Sequence, residues 1–258
     1  MRTNHVRHAL KAGKLQLGTG FGFLRSPEIA RILAAAGFHW TFIDGEHGCF
    51  DIETMHDICR VAQSAGLCPI VRVADLQYSL VARALDCGAQ GVIFPRMEDP
   101  RLLETALSWT KFPPAGVRGY GLTGAHLEYE AVSFEQAISH TNENTLTVLQ
   151  IETKRAVEAR EEILSVPGID AVLIGPADLS ISLGVGGDFQ HPKLIEAMEA
   201  IRDTCVSKGI APGTQTRSIP QAKFWKERGM KFLGSGNEVS FLFEKAKETA
   251  QSLLGDSF

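Results

Sequence analysis

Thr147-Val-Leu-Gln-Ile-Glu152-Thr153 and Leu173-Ile-Gly-Pro-Ala-Asp178-Leu179 decide how the chain is read. Each is a short apolar run of the kind that forms a strand buried on both faces, and each ends on an acid where a turn or helix signal takes over. Strands buried on both faces belong to parallel sheets. As neighbours in one sheet, the two runs would open Glu152 and Asp178 onto the same rim, a donor pair suited to one hard divalent cation. Both acids are also plausible helix N-caps, and that reading stands beside the first.

Outward from this pair the same alternation recurs. Short apolar runs at residues 15–19, 40–44, 69–73, 91–94, 145–152, 171–175, 210–214 and 231–235 predict eight strands, separated by amphipathic stretches. Ser26-Pro27-Glu28 is an N-cap followed by a first-turn proline and an early acid, with Gly37 as the stop. Asp51 opens the next helix and Gly66 ends it. Further helices are predicted over 79–86, 100–109, 154–165, 192–207, 220–228 and 239–254, with a leading segment, 4–12, placed across the bottom of the barrel. Eight strand–helix units within residues 1–258 predict a single α/β domain, a (β/α)8 TIM barrel, with a doubly wound sheet as the alternative. No G-x-G-x-x-G follows the first strand, which counts against dinucleotide binding. Residues 111–144 read as one long connection containing Pro113-Pro-Ala-Gly-Val-Arg-Gly-Tyr-Gly121, a length that points to function.

Composition narrows the function classes. The chain has 258 residues, 44% hydrophobic and 22% charged, with a formal net charge of −4, which argues against a nucleic-acid surface. No apolar run is long enough to span a membrane, and Met1-Arg-Thr-Asn-His-Val-Arg-His lacks the apolar core of a signal peptide, so a cytoplasmic protein is expected. The five cysteines (Cys49, Cys59, Cys68, Cys87, Cys205) share no C-x-x-C spacing and read as reduced, packed thiols.

In a barrel the chemistry lies just past the strands. Strand two ends in Asp44-Gly-Glu46-His47-Gly48, strand three in Arg72, strand four in Pro95-Arg96 and strand seven near Gln215. His47 reads either as a general base titrating near neutrality or as a structural surface histidine. Arg72 reads either as a fixed cation for an oxyanion or as a strand-to-helix ion pair. Arg118, between glycines, either contacts substrate or pins its loop.

Several of these pieces occur together and in a characteristic order: Ala36-Gly37-Phe38, Ile43-Asp-Gly-Glu-His-Gly48, Pro69-Ile-Val-Arg72, Phe112-Pro-Pro-Ala-Gly-Val-Arg-Gly119, Gln150-Ile-Glu-Thr153, Ile174-Gly-Pro-Ala-Asp-Leu-Ser180 and Ala211-Pro-Gly213. Over residues 10–250 the chain resembles the HpcH/HpaI aldolase family of metal-dependent class II pyruvate aldolases. The resemblance implies a (β/α)8 barrel, the last helix exchanged between subunits, and a homohexamer built as a trimer of dimers. It implies Glu152 and Asp178 as ligands of Mg²⁺, Mn²⁺ or Co²⁺. His47 would be the base, Asp86 the acid that raises its basicity, Arg72 the stabiliser of the developing charge, and Asp44 a support for proton handling. Gln150 and the turn Gly175-Pro176-Ala177-Asp178 would contact pyruvate. The implied reaction is reversible cleavage of a 4-hydroxy-2-oxo acid to pyruvate and an aldehyde through an enolate.

Oxaloacetate decarboxylation or macrophomate-synthase-like chemistry on the same site is the nearer alternative, and a non-catalytic barrel the distant one. Gly20 and the pair Gln215 and Arg217 depart from the family's usual residues. These departures predict a wider, more polar aldehyde side, and Arg96, Arg118 and Arg217 lead us to expect an acidic or polyhydroxylated aldehyde.

Overall fold

In the computed structural model, which describes residues 1–124 and 126–255, eight parallel strands close in sequence order into a barrel. They are β1 Gln16–Phe21, β2 Trp40–Asp44, β3 Cys68–Arg72, β4 Gly91–Phe94, β5 Leu146–Ile151, β6 Ala171–Ile174, β7 Gly213–Thr216 and β8 Phe232–Asn237. The (β/α)8 architecture expected from the alternation is the one observed. Pairing of β1 with β8, Leu17 opposite Leu233, closes the sheet and rules out the doubly wound alternative.

Strand residues alternate between two apolar layers, as a period of two requires. Trp40, Ile70, Ile93, Val148, Leu173 and Phe232 pack together inside the barrel. Their neighbours Ile43, Val71, Val92, Leu149, Val172 and Leu233 face outward and join the surrounding helices. Trp40 stacks on Phe232 with ring centroids 4.0 Å apart. Gly18 makes room for that indole, since a β-carbon there would fall 2.0 Å from the ring. The interior is therefore a packed core.

Helix α1, His5–Lys11, covers the amino-terminal end of the barrel, as expected. Asn4 caps it by accepting from Arg7 N at 2.9 Å, while its own amide donates to Gln90 O at 2.9 Å. Val6 and Leu10 of α1 pack with the interior cluster. Helix α3, Ile52–Ser64, begins where Asp51 accepts from Thr54 N at 2.8 Å. No helix among the described residues is long and apolar enough to cross a membrane. Cys59, Cys68, Cys87 and Cys205 are buried and Cys49 is exposed.

Several boundaries differ from the sequence expectation. Helix α2, Glu28–Ala35, has Pro27 at its N-cap position and no side-chain cap, so Ser26 does not serve as one. The helix expected over 154–165 is two, α7 Lys154–Glu158 and α8 Arg160–Ile163, because Ala159 leaves helical geometry between them. The long connection 111–144 ends in a helix, α6 Phe134–Asn144, started by a capping box of Ser133 and Gln136. Its far end is tied down by Lys111 Nζ, which donates to Asn142 O at 2.6 Å and Thr145 O at 3.2 Å. Strand β7 begins three residues later than expected. Pro212 has no N–H for a ladder, and its carbonyl instead accepts from Lys231 and Phe232. Gln215 consequently lies within a strand.

Candidate active site

Parallel register brings the first pair of site residues together. Asp44 is opposite Arg72 on β2 and β3. Arg72 Nε donates to Asp44 Oδ1 at 3.0 Å and Nη2 to Oδ2 at 2.7 Å, a bidentate pair with both side chains largely buried. Asp44 Oδ1 also accepts from the backbone N–H of Glu46 at 3.0 Å and His47 at 3.1 Å, shaping the turn after β2. Burial opposes the Asp44 charge. The Arg72 guanidinium and the two N–H groups outweigh it, and the carboxyl is held below the ordinary aspartate range.

Glu152 follows β5 and is 4% exposed. One of its oxygens accepts from Arg96 N at 3.1 Å and the other from Gln150 Nε2. Gly175, after β6, leaves the space it needs, since a β-carbon there would fall 2.7 Å from Glu152 Oε2. Burial, and then the charges of Asp178 and Glu46, push the Glu152 carboxyl up against the hydrogen bonds from Gln150 and Arg96. The two acids thus gather on one rim, as the opening stretch implied. Neither is a helix N-cap. Thr153 caps α7, and Asp178 lies in the first turn of α9, Pro176–Ser182, which starts from Gly175. Gln150, 4% exposed, joins the two halves: its Oε1 is 3.5 Å from Arg72 Nη1 while its amide donates to Glu152. Ala177 lies on the α9 turn beside them, its carbonyl accepting from Ser180 Oγ at 2.7 Å.

Glu46 adjoins His47 in the sequence. Its side chain is 6% exposed, 3.2 Å from Arg72 Nη1 and 3.2 Å from Arg96 Nη2. Arg96 adopts φ +47, an uncommon conformation for a side-chain-bearing residue, which aims its N–H at Glu152 and its guanidinium at Glu46. The readable signal was charge balance, because two strand-end arginines need more than Asp44 to partner them. His47 Nε2 stands 3.9 Å from Glu46 Oε1, with the imidazole largely open to solvent.

Two expected residues lie elsewhere. Asp86 ends helix α4, Tyr78–Asp86, which runs from the carboxyl end of β3 back toward the start of β4. It therefore sits at the opposite end of the barrel from His47, paired with Arg118 Nη2 at 2.8 Å. Arg118 is buried over the Phe112 ring, 4.7 Å from its centroid, so in this chain it pins its loop.

Glu152 and Asp178 are the two rim carboxylates that could hold a divalent cation, and burial together with the charges of Asp178 and Glu46 leaves Glu152 raised in its absence. Among the described residues no group of three or more His, Cys, Asp or Glu side chains is arranged to hold a metal. Two carboxylates suit a hard ion whose remaining positions go to substrate and water oxygens.

Barrel enzymes keep their chemistry at the carboxyl-terminal rim, and both the fold and the gathered side chains place the chain among them. It belongs to the HpcH/HpaI aldolase/citrate lyase family, whose family model matches residues 21–243, and is accordingly a carbon–carbon lyase. The chain is 34% identical over 247 residues to a Salmonella dublin protein named 4-hydroxy-2-oxo-heptane-1,7-dioate aldolase, covering 96% of this chain and 93% of that one. The crystal structure of an HpcH/HpaI aldolase from Desulfitobacterium hafniense superposes with a TM-score of 0.91 at 30% identity, covering 96% of each chain. A family member from Burkholderia cenocepacia gives 0.90 at 30% identity, over 98% of this chain and 100% of that one.

Proposed function

We propose that this enzyme is a divalent-cation-dependent pyruvate aldolase that reversibly cleaves a 4-hydroxy-2-oxo acid to pyruvate and an aldehyde. The observation that carries the reading is the buried Glu152 with Asp178 beside it, linked through Gln150 to a fixed Arg72. Glu152 and Asp178 would hold Mg²⁺, Mn²⁺ or Co²⁺, which when bound polarises a keto oxygen and offsets negative charge. Arg72, immobilised by Asp44, faces the oxygen on which charge develops. Gln150 and the Gly175–Asp178 turn orient the pyruvate part. His47 Nε2, directly or through a water, takes the proton of the C4 hydroxyl. The oxygen's electrons form the aldehyde carbonyl, the C3–C4 bond breaks, and its pair passes to the enolate, which takes up at C3 the proton released again by His47, directly or through a water, to give pyruvate.

Incubating the enzyme with a panel of 4-hydroxy-2-oxo acids, with and without EDTA, tests this. Pyruvate release is expected to stop with chelator and return with added Mg²⁺ or Mn²⁺; release indifferent to chelator would sink the cation role. Arg217 lines the open side of the rim and makes no ion pair among the described residues. It supports an aldehyde bearing a carboxylate, as does the name of the Salmonella relative. A preference for small apolar aldehydes over semialdehydes would contradict that.

Asp86 can act on His47 only if another copy of the chain presents it. The exposed Leu242 and Phe243 of α12, Glu238–Leu254, support a homo-oligomer such as the hexamer with an exchanged last helix. Co-assembled His47→Asn and Asp86→Asn chains, each inactive alone, are expected to regain activity, because some sites then draw both intact residues from different copies. No recovery in mixed oligomers of confirmed composition would rule out this arrangement.

A further inference from the structure

Beside Asp44 the rim opens into a cavity of about 360 Å³ between β1, β7 and β8, lined by Gly20, Phe23, Phe42, Gln215, Arg217 and Asn237. Under the aldolase reading, this space adjoins the pyruvate half and takes the aldehyde. Gly22 and the half-exposed Phe23 of the turn Gly22-Phe23-Leu24, which follows β1, form part of its wall. One carboxylate oxygen organises that turn. Glu238 Oε1 accepts from three successive backbone N–H groups, Gly22 at 3.0 Å, Phe23 at 2.6 Å and Leu24 at 3.0 Å.

Glu238 is 4% exposed, and its second oxygen is buried with no hydrogen-bond partner. Three converging N–H groups form a concavity of the kind that captures anions, filled here by the protein's own side chain. Charge-assisted bonds in a site shielded from water are strong, so the turn is held firmly. Glu238 is also the first residue of α12, where the helix dipole favours an acid. The segment just before it is fixed as well. Gly236, at φ +63, accepts through its carbonyl from Thr19 Oγ1 at 3.0 Å and Gln215 Nε2 at 2.8 Å. Asn237 caps α12 through a reciprocal pair of bonds with Ser240. Both sides of the cavity are thereby referenced to the start of the last helix.

We propose that Glu238 is a positioning residue that sets the width of the aldehyde side of the site by fixing Phe23, coupling the placement of α12 to substrate choice. The proposal rests on the aldolase function above. Glu238 touches no reacting atom, so its removal should separate the two halves of the reaction.

The test uses the full chain with Mg²⁺ and two assays: deuteration of pyruvate in D₂O, which needs only the pyruvate half, and aldol addition to a series of straight-chain aldehydes and semialdehydes. Glu238→Ala and Phe23→Ala are expected to raise the KM for the wild type's best aldehyde about tenfold or more, a displaced wall being felt at the reacting geometry. They should also flatten the preference among chain lengths, with pyruvate deuteration falling much less. Glu238→Gln keeps an oxygen able to accept the three N–H groups and should restore most of the selectivity. Wild-type aldehyde KM values in both alanine variants, or deuteration and addition falling in step, would overturn the proposal. If Glu238→Ala does not fold, Phe23→Ala and Glu238→Gln decide on the same criteria. A wild type that neither deuterates pyruvate nor forms aldols overturns the aldolase function and this proposal with it, whereas an active wild type with unaffected variants overturns this proposal alone.

Discussion

Glu152→Gln is expected to lower pyruvate release by roughly a thousandfold or more, the several kcal/mol that a cation contributes to charge stabilisation. The same change is expected to leave the unfolding midpoint, measured without added metal, at or above that of the unaltered chain. Burial, and after it the charges of Asp178 and Glu46, push the Glu152 carboxyl up, so in the empty site its charge opposes folding. Glutamine fills the same volume and can still accept from Arg96 N. Loss of activity with unchanged or raised stability is the signature of a group kept for its ligand and not for the fold. Kinetics and thermal unfolding on one preparation decide the matter. A variant that retains activity, or one that loses stability together with activity, contradicts this role.

Arg72→Lys should be nearly as damaging, about 100- to 1000-fold in kcat/KM, because an ammonium cannot reproduce the two-pronged bond to Asp44 while reaching toward Gln150 and Glu46. Arg72→Ala adds a folding penalty of about 3–5 kcal/mol by leaving buried acids without their cation. The pH dependence has a definite sign. The Asp44 carboxyl is held below its ordinary value of 3.8, so its contribution to stability is present above that value and is lost as pH falls through the lowered one. Without Arg72 the lowering is largely gone, and acid unfolding should begin at higher pH. Urea titrations at several pH values check both statements. Equal acid sensitivity in the two proteins would mean that the ion pair does not hold Asp44.

The strands that carry this site were legible because burial on both faces leaves unbroken apolar runs, and the acids were legible because they terminate such runs. Where the pattern is weak, the reading drifted. Gly213-Thr-Gln-Thr216 has no apolar run, and only its neighbours' ladders make it a strand. Helix α6 buries just Ala137, so its periodicity is faint. The partners of Glu46 were not legible beside His47, because they are two arginines distant along the chain. Asp86 was found by family likeness, yet its place at the far end of the barrel depends on which way α4 runs, a matter of topology and not of residue type.

The stack of Trp40 on Phe232, seated in the hollow left by Gly18, has a bearing on traffic. A barrel plugged by rings from the starts of its strands, with Val6 and Leu10 packed beneath, is a vessel with one mouth. Substrate, products and solvent must share that opening for entry and exit. Whatever covers it, including a neighbouring copy of the chain, governs every exchange with the solution.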